Sequence, residues 1–125
     1  MVNGKRILIV DDEYKVAFFL QESLRGLGGY EVMRAETAER ALQVCQEQSF
    51  DLVVTDFRLP GINGLELMRQ LRTIRPAIRT ILITAYGSDE IEAEAYALQA
   101  RGYLTKPFHI EEFVRVVQAA LETAE

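Results

Sequence analysis

Five times in 125 residues a short run of β-branched and aliphatic residues gives way to a longer amphipathic stretch, and few folds accommodate that alternation. The pattern predicts strands over 6–10, 30–34, 51–55, 80–84 and 102–105, and helices over 14–27, 37–48, 64–74, 88–99 and 110–122. Ile7 to Val10 and Ile81 to Ile83 are apolar without alternation, which suits strands covered on both sides rather than one. A strand, a crossover helix and the next parallel strand need a right-handed connection, so the five units should stack as a doubly wound, five-stranded parallel α/β sheet with helices on both faces.

The turns fall where this fold needs them, at Gly28-Gly29, Pro60-Gly61, Gly87 and Gly102. The last helix is the clearest. Ile110, Phe113, Val114, Val117, Ala120 and Leu121 recur at helical spacing, and Glu111 and Glu112 stand in the first turn, where the helix dipole favours them. The fourth helix offers only a narrow stripe of Ile91, Ala95 and Leu98, so it should pack least firmly and move most easily.

The chain reads as one domain over 1–125, long enough to bury about two thirds of the surface that its unfolded form exposes. With 49% hydrophobic and 26% charged residues it has the balance of a folded soluble protein, and no apolar run is long enough to cross a bilayer. The polar start and the absence of a signal-peptide h-region predict a cytoplasmic location, with no membrane partner. The net charge of −5, with Arg69, Arg72, Arg75 and Arg79 interrupted by apolar residues, argues against direct nucleic-acid binding. Cys45, beside Ala41 and Leu42 on a helical pattern, is most simply a small buried hydrophobe.

Four of the apolar runs stop at a residue able to do phosphate chemistry: Asp11-Asp12, Asp56, Thr84 and Lys106. In an open parallel sheet the pocket lies outside the carboxyl ends of the strands, so these side chains should converge. Asp11, Asp12 and Asp56 held a few ångströms apart would repel by ~1 to 4 kcal/mol per pair. A divalent cation relieves that repulsion. Oxygen donors with room for water describe a Mg²⁺ site, and the lack of Cys and His nearby argues against zinc or copper. Lys106 offers a point charge for a phosphoryl oxygen, Thr84 a hydroxyl donor, and an aspartate can attack phosphorus to give an acyl phosphate. Together these are the parts of a phosphoryl-transfer site.

The order Asp11-Asp12, then Asp56-Phe57-Arg58-Leu59-Pro60-Gly61-Ile62-Asn63-Gly64, then Thr84-Ala85, then Lys106-Pro107-Phe108 resembles the receiver domain of bacterial two-component response regulators, over about residues 5 to 122. The resemblance implies a flavodoxin-like (βα)5 fold and phosphorylation of Asp56 by a sensor histidine kinase or phosphotransfer protein. It also implies Mg²⁺ held by Asp12, Asp56 and the backbone carbonyl of Arg58, with Asp11 acting through water. Lys106 would bind the phosphoryl group, and the Lys106–Pro107 bond would be cis. Thr84 and Tyr103 would be a switch pair, the hydroxyl moving toward the phosphoryl group and the ring turning inward. The face from the fourth helix through the fifth strand to the fifth helix would meet an output domain, a partner protein or a second copy in a phosphorylation-dependent homodimer. The runs Phe57 to Gly61 and Ile83 to Ser88 further resemble receivers that control transcriptional activators of the nitrogen-regulation type.

Plainer readings stand beside each residue. Asp11-Asp12 could cap a helix, Asp56 could be a turn acid, and Tyr103 could be packing on an edge strand. His109 suits a solvated or capping role better than a phosphate shuttle. Among whole-chain alternatives, a phosphatase of the haloacid-dehalogenase type would want a second acid two residues after its nucleophile, where this chain has Arg58. A receiver-shaped interaction module without phosphorylation is the other alternative, and an intact site argues against it. Arg58 and Tyr86 are both bulky and flank the predicted acceptor, so they should shield an acyl phosphate from water.

Overall fold

A computed structural model describes residues 4–122 of the chain. Among them β1 (Lys5–Val10), β2 (Tyr30–Ala35), β3 (Leu52–Asp56), β4 (Arg79–Thr84) and β5 (Gly102–Thr105) alternate with α1 (Tyr14–Arg25), α2 (Ala38–Glu47), α3 (Gly64–Ile74), α4 (Asp89–Ala97) and α5 (Ile110–Glu122). The strands form one parallel sheet in the order β2-β1-β3-β4-β5, the flavodoxin-like (βα)5 arrangement.

Alternation along the buried strands assigns each residue to one of two layers. Ile7, Ile9, Leu52, Val54, Ile81 and Ile83 pack with Ala17, Leu20 and Leu24 of α1 and Phe113, Val117 and Leu121 of α5. Leu8, Val10 and Val53 face the other way, against Ala41, Val44 and Cys45 of α2 and Leu67 and Leu71 of α3. Leu82, from the same side of β4, meets Leu65 and Met68 of α3 and Ala95 of α4. Every residue of β3 is buried, which accounts for its continuous apolar reading. Cys45 is fully buried, and burial pushes its thiol up to about 11, so it stays a neutral apolar group at physiological pH.

The helix ends shift by one or two residues from the sequence reading, for local reasons. Thr37 and Ser88 lie outside their helices as N-caps, their side-chain oxygens accepting from the N–H groups of Arg40 and Ile91 at 3.0 and 3.1 Å, whereas α3 starts at Gly64 as read, with Asn63 as its cap. α1 stops at Arg25 because Leu27 and Gly28 turn back onto the carbonyls of Leu24 and Arg25. α4 stops at Ala97 because Gln99 adopts φ 69°, a left-handed conformation that ends a helix. β3 extends one residue further than its composition suggests. Asp56 pairs with Ile83 and the Phe57 N–H donates to the Ile83 carbonyl at 2.7 Å.

α4 is the least anchored helix. Within it only Ala95 is fully buried, Ile91 is half-buried, and Asp89, Glu90 and Glu94 are exposed. A side-chain tie does hold it, from Arg69 of α3 to Glu94 at 3.1 Å, but both groups are about half exposed and such pairs contribute ~0 to 1 kcal/mol. Amide hydrogen exchange should therefore find α4 the fastest-exchanging of the helices and β1 and β3 the slowest segments. Protection in α4 equal to that in α5 would contradict this packing account.

Candidate functional site

The strand order places β1 at the reversal point, since α1 leads to a strand on one side of it and α2 to a strand on the other. The carboxyl ends of β1 and β3 therefore bound a crevice, and the predicted acids occupy it. Asp11 follows β1 directly, Asp12 is next, and Asp56 is the last residue of β3. One carboxylate oxygen from each lies within 4.8 Å of the others. Asp11 and Asp56 are almost wholly buried, whereas Asp12 is exposed at the mouth. An open cavity of about 500 Å³ lies over them, walled by Arg58, Pro60, Ala85, Tyr86 and Lys106.

Lys106 reaches the acids from the end of β5. Its Nζ stands 3.5 Å from Asp56 Oδ2, 3.8 Å from Asp11 Oδ2 and 3.6 Å from Glu13 Oε1. The Lys106–Pro107 peptide bond is cis, as the resemblance implies. Burial alone would lower the Lys106 pKa, but the three carboxylates outweigh it and raise the ammonium above its ordinary value. Asp56 is raised by burial, against opposing contributions from Lys106 and the backbone N–H groups of Phe57 and Arg58. Asp11 is pushed up to about 6 by burial, although the Glu13 N–H donates to its Oδ1 at 2.8 Å and Lys106 is near.

Burial thus leaves Asp11 and Asp56 with less favourable charge than they would have in water. Such a cluster of hard oxygen donors, open to solvent on one side, suits a small divalent cation that keeps part of its water shell. Among the described residues no Cys or His joins the cluster, in keeping with an oxygen-only ligand set.

The other predicted residues divide. Arg58 lines the cavity, and its guanidinium lies over the Tyr86 ring with Cζ 4.8 Å from the ring centroid, so the two bulky residues cover one side together. Thr84 ends β4 and is fully buried beneath Ala85 and Tyr86 rather than on the cavity wall. Its Oγ1 accepts from the Tyr86 N–H at 3.0 Å, which leaves the hydroxyl proton available to donate elsewhere. Tyr103 is not among the residues lining the cavity; it packs against the buried cluster that includes Leu82, Ala95 and Ala100, and its hydroxyl is buried. His109 is exposed, and its carbonyl accepts from the Glu112 and Phe113 N–H groups at the start of α5, which is the capping role.

Two contributors escape the sequence reading. Glu13 brings a third carboxylate to Lys106, beside Asp11 and Asp56, and only its adjacency to Asp12 could have hinted at that. Gly64 opens α3 with its Cα against the end of β3: a Cβ there would fall 2.4 Å from the Asp56 carbonyl oxygen. A glycine at the start of an otherwise strong helix was the available signal for such a close backbone approach.

Asp11 titrates near 3.8 when unfolded and about 6 when folded, so the folded chain holds the proton more tightly. The cost of burying its ionised form is full above the folded value and gone below the unfolded one. In chelator, Asp11→Asn should be more stable than the parent by about 1–3 kcal/mol near neutral pH, the advantage disappearing toward about pH 4. Urea denaturation at the two pH values checks this, and a neutral-pH variant no more stable than the parent would contradict it.

Residues 7–118 match the response regulator receiver domain family. Sporulation initiation phosphotransferase F of Bacillus subtilis is 36% identical over 97% of this chain and 96% of its own length. Transcriptional regulatory protein ZraR of Escherichia coli K12 is 38% identical over 94% of this chain, which spans only about a quarter (26%) of that regulator. A response regulator from Burkholderia pseudomallei, solved with a phosphorylated aspartic acid, calcium ion and citrate, superposes with a TM-score of 0.82 at 30% identity, covering 95% of this chain and 67% of that one. With the acids, the lysine and the sheet order already in place, the chain belongs to the response regulator receiver domain family.

Proposed function

We propose that Asp56 accepts a phosphoryl group from a phosphohistidine of a sensor kinase or phosphotransfer protein, and that the acyl phosphate shifts the conformation of the domain toward one that engages an output. The observation that carries this is the position of Lys106 Nζ, 3.5 Å from Asp56 and 3.8 Å from Asp11, in the wall of an open cavity that Asp56 also lines. An Asp56 carboxylate oxygen attacks phosphorus, a P–O bond forms as the P–N bond breaks, and the electron pair returns to the donor imidazole. Lys106, drawn from Asp56 to the phosphoryl oxygens, offsets their charge, and the Thr84 hydroxyl donates to another of them.

Asp11, Asp12, Asp56 and the Arg58 carbonyl would hold Mg²⁺, which when bound neutralises charge on the phosphoryl oxygens. Support comes from the clustering of the three acids and from the metal-bearing phosphorylated relative. No enzymatic turnover of a separate substrate is part of this reading. The position two residues past Asp56, where a haloacid-dehalogenase-type phosphatase would place its general acid, holds Arg58 stacked on Tyr86.

The output is read as a partner or linked domain meeting the face of α4, β5 and α5, or as a second copy of the chain. Its support is mechanical: α4 is the least anchored helix, and Tyr103 of β5 packs against α4 residues. ZraR, named as a transcriptional regulator, favours a transcriptional output. A cytoplasmic location fits a kinase partner, and among the described residues no helix is long and apolar enough to cross a membrane.

Intact mass after incubation with acetyl phosphate tests the central step. One phosphoryl group should add to the parent in Mg²⁺ and none to Asp56→Asn or to the chelated parent. No addition to the parent in Mg²⁺ would contradict the proposal. The stacked Arg58 and Tyr86 should slow hydrolysis of the product. Arg58→Ala with Tyr86→Ala should raise the autodephosphorylation rate about 2- to 5-fold, the equivalent of ~0.5–1 kcal/mol for an exposed cation–π cover. An unchanged rate would remove that role.

A further inference from the structure

Gly87 stands in the connection between β4 and α4, three residues past Thr84, and its backbone is not among those with positive φ. Nothing in its conformation calls for glycine. Its surroundings do. A Cβ at residue 87 would fall 2.4 Å from the Tyr103 hydroxyl oxygen, 2.8 Å from Thr105 Cγ2 and 3.4 Å from Thr84 Cγ2. Thr105 is exposed and can turn its methyl group aside. The Tyr103 hydroxyl is at the end of a rigid ring packed against the buried cluster that includes Leu82, Ala95 and Ala100, so it can yield only if the ring moves. That hydroxyl is buried with no hydrogen-bond partner among the described residues, so packing rather than a polar anchor keeps it in place.

We propose that Gly87 is the positioning residue for Tyr103: the absent side chain at 87 is the seat of the Tyr103 hydroxyl, so the path of the β4–α4 connection decides whether the ring is inside. The functional consequence rests on the receiver reading, since it is Thr84, in the same connection and also against Gly87, that a phosphoryl group on Asp56 would draw toward itself. The packing relation stands independently of that reading. Movement of the connection and seating of the ring become one event, transmitted through contact at a single α-carbon.

The test is a cycle of Gly87→Ala, Tyr103→Phe and the double variant, with NOEs between the ring at position 103 and the α-proton of residue 87 as the readout. The ring signals are identified by their change on Tyr103→Phe. The parent should show the NOEs, and Gly87→Ala should lose them, with ring shifts moving toward solvent-exposed values. Adding Tyr103→Phe to Gly87→Ala removes the clashing oxygen, so the double variant should recover the contact. Recovery of normal folding by the double variant would count the same way if Gly87→Ala alone folded poorly. NOEs persisting in Gly87→Ala, or a double variant whose ring stays out or whose fold stays damaged, would overturn the proposal. Addition of Mg²⁺ and beryllofluoride to the parent separates the two readings. No response there speaks against phosphoryl acceptance and leaves the packing result intact, whereas a response in the parent with unchanged NOEs in Gly87→Ala refutes the positioning role alone.

Discussion

Lys106 holds one ammonium within 3.5–3.8 Å of three carboxylates, and the rest of the molecule is arranged around that sharing. Asp11 and Asp56 are buried enough that desolvation raises both, yet neither has a cation to itself. The site is therefore a place where added positive charge is favoured, and where a group that competes for the ammonium finds it already in position. Such unrelieved electrostatics persist because the sheet beneath is over-determined. β3, which carries Asp56, is buried along its whole length and paired on both sides.

The topology supplies the rest of the constraint. With β1 at the reversal point, the chain must present the ends of β1 and β3 to one crevice, and Lys106 spans the width of β4 to reach them. Stability and reactivity are thus divided within one fold. The apolar faces of β1, β3 and β4 fix the acids, whereas α4, with little buried beyond Ala95, leaves the neighbouring connection free to respond. The tie from Arg69 to Glu94 is too exposed to lock that helix.

Most of this was legible in the sequence because it depends on periodicity and on chain order. Unalternated runs such as Ile7 to Val10 announced doubly covered strands, and the polar residues ending them announced the crevice. Helix ends were less legible where a cap or a left-handed residue set them, as at Ser88 and Gln99, since those are backbone events with weak compositional marks. Glu13 and Gly64 were missed for a similar reason: one acts through a side-chain reach, the other through the absence of a side chain. Tyr103 shows the limit most clearly. Its residue type allows an inward or an outward ring, and only the space above Gly87 shows which seat it takes.

A crystal structure of the protein with Mg²⁺ and beryllofluoride would test the central claim most directly, because beryllofluoride stands in for the phosphoryl group on an aspartate. The account predicts it bonded to an Asp56 carboxylate oxygen, with Lys106 Nζ and Thr84 Oγ1 at hydrogen-bond distance from its fluorines and the cation between Asp11, Asp12, Asp56 and the Arg58 carbonyl. Beryllofluoride absent from Asp56 at saturating concentration, or bound there with Lys106 still paired only to the acids, would contradict it.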